Sequence, residues 1–225
     1  MQHLLDEREA AGRSQSTINN VASLIKQLCS YSMERDILGK DYSSILMTVR
    51  DLKNPRGALT DTQLKSLEKL AASGEPWADT VLILCYTGFR ITEFLTLTRF
   101  SYHPEDGGYL QGGLKTEAGR NRIVPIHPKI RPYLDRWLSR NGDMIICDEN
   151  GAAVDSDRYR AYFSALMKKI GIERDATLVP SHFATLLHTA NVDELTVKWL
   201  MGHSTRSDIT AHYTHETIAV LRTAV

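Results

Sequence analysis

Apolar residues recur at helical spacing through the first third of the chain. Ile18, Val21, Ile25 and Leu28 follow one another by three, four and three, one face of a helix, with Ser16 and Thr17 as natural caps. A short second helix is expected over 42–49. Asp51-Leu52-Lys53-Asn54-Pro55-Arg56-Gly57 is polar and punctuated, so a linker and a domain boundary are expected near residue 57. Thr60-Asp61 opens another helix, with Leu64, Leu67 and Leu70 on one side, and Ser73-Gly74-Glu75-Pro76 breaks it. Residues 77–87 are strongly apolar and stop at Gly88. The pattern then changes over 98–126. Gly107-Gly108, Gly112-Gly113 and Gly119 separate short runs, and Arg122-Ile123-Val124-Pro125-Ile126 has strand composition. About three antiparallel strands fit those turn signals. His127-Pro128 opens a helix to residue 140, and Met144-Ile145-Ile146-Cys147 reads as a strand. Helices are expected over 157–170, 183–189 and 195–201, with a short C-terminal piece from Glu216. The fold class is therefore mainly α with a small antiparallel β-sheet (α+β), in two domains, 1–57 and 58–225.

Composition narrows this little. Hydrophobic residues at 42% and charged residues at 24% are ordinary globular values, which exclude disorder, collagen and coiled coil for the whole chain. Lys plus Arg and Asp plus Glu are 27 each, so a polyanionic partner would have to meet locally concentrated charge. Cys29, Cys85 and Cys147 are odd in number and far apart, which excludes a disulfide framework and every Cys-x-x-Cys zinc spacing. Free buried thiols in a reducing compartment are expected. No apolar run reaches a membrane span, and the N-terminus lacks a signal pattern, so the expectation is a soluble cytoplasmic protein with no membrane partner.

Three segments carry chemistry. In Thr87-Gly88-Phe89-Arg90-Ile91-Thr92-Glu93, an arginine beside a glycine could project its fork at a phosphate, with Glu93 one turn on to orient it. An ordinary surface Arg–Glu pair fits the same spacing. Residues 115–140 hold Lys115, Arg120, Arg122, Lys129, Arg131, Arg136 and Arg140 against Glu117 and Asp135. Such an excess is the footprint of a phosphate-backbone contact, and equally of a solvated face. Arg120, Arg122, Lys129 and Arg131 are its candidate DNA-binding residues, and Lys115 sits among hairpin glycines. The third segment holds His203, His212, Tyr213 and His215. His212 and His215 have metal-ligand spacing, but no Cys or acidic cluster completes a site, so no metal is expected. A tyrosine nucleophile needs cationic neighbours or a base, because its pKa near 10 leaves it neutral. A core or surface tyrosine is the alternative.

The order of these segments resembles the tyrosine recombinase family, the integrases of phages and conjugative transposons. It runs from Thr87-Gly88-Phe89-Arg90-Ile91-Thr92-Glu93 through Lys115-Thr116 before a basic strand to Leu200-Met201-Gly202-His203 and then His212-Tyr213-Thr214-His215. The resemblance covers about 58–225 as the catalytic domain. Residues 1–57, with Ser16-Thr17-Ile18-Asn19-Asn20, resemble part of the family's helical core-binding domain, and the further arm-binding domain of many members has no counterpart. The resemblance implies a bacterial, DNA-bound enzyme that cleaves and rejoins double-stranded DNA, with no cofactor and in a tetrameric synapse. It makes Tyr213 the nucleophile of a 3′-phosphotyrosyl bond. Arg90 grips the scissile phosphate, Lys115 protonates the leaving 5′ oxygen, and His203 donates a hydrogen bond to the phosphate.

One part of the pattern is broken. The family places a His-x-x-Arg box before a helix start like Phe183-Ala184-Thr185-Leu186-Leu187. Here the preceding residues are Thr177-Leu178-Val179-Pro180-Ser181-His182. Ungapped, Pro180 takes the arginine position and Thr177 the histidine position. A one-residue deletion brings Ser181 to the arginine position instead. Arg174 is too far upstream to match, and Arg206 follows His203. The resemblance thus implies an impaired enzyme, or an inactive DNA-binding relative that holds recombination sites. A type IB topoisomerase-like enzyme shares the chemistry, but the added small domain argues against it.

Overall fold

The computed structural model describes residues 1–46, 58–113, 121–172, 178–203 and 218–225. Two compact units divide it, Met1–Pro55 and Arg56–Val225. In the first, α1 (Gln2–Ala10) packs against α2 (Gln15–Glu34). Ser14, not Ser16 or Thr17, caps α2, its hydroxyl accepting from the Thr17 amide at 3.3 Å. The core is Leu5, Ile18, Ala22, Ile25 and Cys29. Leu28, expected on that face, is 56% exposed. At about 100° per residue it stands roughly 80° around the helix from Ile18, whereas Cys29 returns to within about 20°. The helix expected over 42–49 is, among described residues, a single 3₁₀ turn, Ser43–Ile45. Its start is tied by the Ser43 amide donating to Asp41 at 2.7 Å. The expected linker lies outside the described residues.

The second unit is a helical body with a small sheet. Thr60 and Gln63 form a reciprocal capping box at the start of α3 (Asp61–Ala72). Every residue of α4 (Ala78–Thr87) is buried. It ends at Gly88, whose left-handed φ of 63° closes the helix with its amide donating to Leu84. Next come α5 (Ile91–Phe94) and strands β1 (Tyr102–His103), β2 (Tyr109–Gly112) and β3 (Arg122–Pro125). The sheet is antiparallel in the order β1-β2-β3, with Leu110 opposite Val124 and Gly112 opposite Arg122. A 3₁₀ turn, Pro128–Ile130, leads into α6 (Arg131–Leu138), and α7 (Ser156–Lys169) is capped by Asp155. Then follow α8 (Leu178–Thr189), α9 (Glu194–Met201) and α10 (Ile218–Thr223). The fold is α+β, as the punctuation implied.

Two local expectations fail here. Residues 144–147 form no strand; they make isolated bridges, Thr98 with Met144 and Cys147 with Ala153. Ile145, Ile146 and Cys147 are fully buried, so their apolar run reports burial, which periodicity cannot tell from a ladder. Helix α8 begins five residues before Phe183, because Pro180 falls in its first turn, where a missing amide costs nothing. The core joins Leu67, Leu82, Phe89, Phe94, Leu134 and Phe183 with residues of every helix around them. The C-terminal α10 packs on β3 of its own chain, burying Leu221, and Arg222 donates to the Gly108 carbonyl at 2.7 Å. The three cysteines are free and buried. No helix among the described residues is long and apolar enough to cross a membrane.

Candidate active site

The site grows from the ends of two helices. Gly88 must be glycine twice over. Its φ is positive, and a Cβ there would collide with the Phe183 ring and stand 3.2 Å from the Met201 sulfur. The end of α4 can therefore lie directly on α8 and α9, which fixes where Arg90 emerges two residues later. Arg90 is the N-cap of α5 in an extended conformation. Its guanidinium donates to Glu93 Oε1 at 2.8 Å, and its amide donates to Glu93 Oε2 at 3.1 Å. The Arg90 side chain is 42% exposed, whereas that of Glu93 is 3% exposed. A buried carboxylate thus aims a half-open guanidinium, which is more than a surface ion pair.

His203 arrives from the other side. Helix α9, capped by Asp193 accepting from the Thr196 amide, ends at Gly202 with a left-handed φ of 64°. The His203 amide donates back to the Lys198 carbonyl at 2.9 Å, so the chain turns sharply and leaves the imidazole exposed. Partial desolvation, and then the charges of Arg90, Arg122 and Lys198, hold its pKa below the usual histidine value. The shift favours the neutral imidazole, which keeps one N–H to donate.

Arg122 is the main correction. The basic run implied a DNA-facing side chain, but Arg122 is buried at 6% exposure. Strand alternation puts it on the same side of β3 as the buried Val124. Its guanidinium donates to the Leu200 carbonyl at 2.8 Å and the Gly88 carbonyl at 3.0 Å, and lies 3.5 Å from Glu93 Oε2. Its carbon sits 4.3 Å from the centre of the Phe89 ring. Burial pushes its pKa down to about 10, so it stays cationic at neutral pH. The period-two pattern of β3 was the signal that could have shown it turned inward.

The rest of the basic segment is not one face either. Arg131 donates to the Gly107 carbonyl and the Tyr102 hydroxyl and pairs with Asp135 at 3.2 Å. Arg136 is tied to Asp79 at 3.0 Å, and Arg140 lies over Trp137. Lys129 is 59% exposed and donates to the Tyr86 hydroxyl at 3.3 Å, which raises its pKa. Lys115, Arg120, His212, Tyr213 and His215 lie outside the described residues. Helix α8 holds no arginine, and Pro180 and Ser181 stand in its first turn. His182 is 3% exposed, with neither ring nitrogen partnered among the described residues.

Comparison with known proteins bears on the family and the fold. A tyrosine recombinase XerD of Oceanobacillus iheyensis is 24% identical over 94% of this chain and 75% of its own length. The integrase of the Tn1549 transposon, solved in complex with circular intermediate DNA, superposes with a TM-score of 0.76 at 21% identity. That match covers 99% of this chain and 82% of the integrase. A lambda integrase dimer bound to a COC′ core site gives 0.70 at 16% identity, over 96% of this chain and 80% of the other. Residues 58–219, most of the chain, match the phage integrase family, so the chain belongs to the phage integrase family of tyrosine recombinases.

Proposed function

We propose that this chain is a site-specific DNA recombinase that cuts and rejoins strands through Tyr213, and that it does so slowly. What supports the reading is that Arg90, aimed by buried Glu93, and His203 follow the ends of α4 and α9, which Arg122 joins, in a member of this family. In the proposed reaction the Tyr213 phenolic oxygen attacks the scissile phosphorus and its proton passes to water. The bond from phosphorus to the 5′ oxygen breaks, Lys115 protonates that oxygen, and a 3′-phosphotyrosyl bond remains. Rejoining reverses these steps. Arg90 and His203 donate to the non-bridging oxygens as charge builds on them, which makes them transition-state donors. The absent second arginine removes one such donor, worth about 10²–10³ in rate. The expected first domain, residues 1–57, grips the duplex, with Lys115, Arg120 and Lys129, and Arg131 at the margin, on the phosphates. A lambda integrase tetramer is known on a Holliday junction, and self-association of this chain on DNA is proposed on that likeness.

A nicked duplex that traps the covalent intermediate tests the reading. The natural chain is expected to give a slow adduct and Tyr213→Phe none; an adduct that survives Tyr213→Phe defeats the assignment. The second reading, a relative that binds recombination sites without cutting, is favoured by the sequence: on the resemblance, Pro180 or Ser181 falls where the family carries its arginine. Tight, salt-sensitive DNA binding with no adduct at any enzyme concentration would select it.

A further inference from the structure

Arg122 lies at the centre of the site without reaching its surface. Its side chain is 3% exposed, so a DNA phosphate cannot meet the guanidinium while the fold is closed. What it holds is main chain. Gly88 closes α4 and lies two residues before Arg90; Leu200 lies in the last turn of α9, three residues before His203. Carbonyls at helix ends lack intrahelical partners and carry the negative end of the helix dipole. One cation therefore caps two helices at once, with Nη1 on Leu200 at 2.8 Å and Nη2 on Gly88 at 3.0 Å. Each of these carbonyls is followed within three residues by a side chain of the candidate site. On a third side stands Glu93, the carboxylate that aims Arg90.

We propose that Arg122 is a positioning residue for strand cleavage: by clamping the ends of α4 and α9 it sets the spacing of Arg90 and His203, and it acts on the phosphate only through them. This rests on the reading of the site given above. The fork is essential to the role. A lysine keeps the charge but offers a single ammonium in place of two fixed parallel donors, so it cannot hold both carbonyls in one geometry. Misplacing a phosphate ligand by about 1 Å can cost about 10² in rate.

The test compares Arg122→Met and Arg122→Lys with Tyr159→Phe. The last removes a buried hydroxyl bonded to Thr80 at 2.7 Å, at the opposite end of α4 from Gly88. Amide hydrogen exchange of the DNA-free protein is read first. The Arg90 amide donates to Glu93 and the His203 amide to Lys198. Exchange at these two amides is expected to rise about tenfold or more in both Arg122 variants, with Leu82 and Leu134 within about twofold. Tyr159→Phe should loosen no such pair. Single-turnover adduct formation on the nicked duplex is read second. It should fall by about 10–100-fold with DNA affinity within about twofold, and Arg122→Lys should not rescue it. If Arg122→Met fails to fold, Arg122→Lys carries both readouts. Unchanged protection at Arg90 and His203, an even rise across the chain, or an undiminished adduct rate in the variants overturns the proposal. Local loosening in the Arg122 variants, with no adduct formed even by the natural chain, upholds the clamp and overturns the cleavage reading instead.

Discussion

Glu93 holds Arg90 twice, once through the guanidinium at 2.8 Å and once through the Arg90 amide at 3.1 Å. The first bond aims the side chain and the second starts α5, so the local fold and the proposed phosphate grip depend on one carboxylate. That carboxylate is buried and also faces Arg122. Glu93→Gln keeps the shape but leaves buried Arg122 without its counter-charge. Breaking one partner of a buried pair costs about 3 kcal/mol or more. Urea unfolding should show that loss, and adduct formation should fall further than stability alone explains. A variant as stable as the natural chain would contradict the buried-charge argument.

Gly88→Ala sets a Cβ against the Phe183 ring at a positive φ. Strained backbone and overpacking each cost about 1–3 kcal/mol, so a loss of about 3 kcal/mol is expected. Phe183→Ala alone is also destabilising, because it empties a core position. The double variant should recover part of the sum, since the smaller ring partner removes the collision. A double-mutant cycle in urea measures this coupling, and strict additivity would mean that the two residues do not meet.

The broad fold was legible in the sequence because its signals are local. The Thr60 cap, the apolar run ending at Gly88 and the glycine punctuation around β2 each reflect a short-range rule. Of the candidate site, the local relations were legible. Arg90 with Glu93 is an i, i+3 relation, and the Gly202–His203 turn is local too. Arg122 was misjudged because its partners are 34 and 78 residues away, at Gly88 and Leu200. Nothing in a basic run says which of its members faces inward; that is decided by helix ends contributed from elsewhere. The run 144–147 failed for a related reason: burial makes a segment apolar whether or not it pairs.

Three histidines give the stability a pH dependence. Burial, the largest cause for each, holds the pKa of His127, His182 and His203 below the usual value. The unfolded chain takes up its protons near pH 6.5. Below that pH the unfolded state binds more protons than the folded one, so stability is full above about 6.5 and declines as pH falls toward the lower folded values. His182 should contribute most, being 3% exposed with no nitrogen partnered among the described residues. Urea midpoints should drop between pH 7.5 and pH 5.5, and His182→Phe should flatten that slope. An identical slope in the variant would place the effect in other groups.

The proposed lack of a second active-site arginine permits a gain-of-function experiment. Position 180 lies in the first turn of α8, partly exposed, with Ser181 beside it. Proline is not needed there to satisfy a hydrogen bond, since first-turn amides have no helical partner; an arginine adds one amide that water or a side chain can meet. Thr177→His with Pro180→Arg rebuilds the His-x-x-Arg box in its ungapped register. The new guanidinium restores a second charged donor to the oxygens on which charge develops during attack. One such donor is worth about 10²–10³ in rate. DNA affinity should change far less, because many phosphate contacts share it. The adduct rate on the nicked duplex should therefore rise by about two orders of magnitude, and Tyr213→Phe in the rebuilt chain should abolish it. A rebuilt chain that folds, binds DNA and still cleaves no faster would show that the broken box is not what limits this protein. The slow step would then lie in another part of the site.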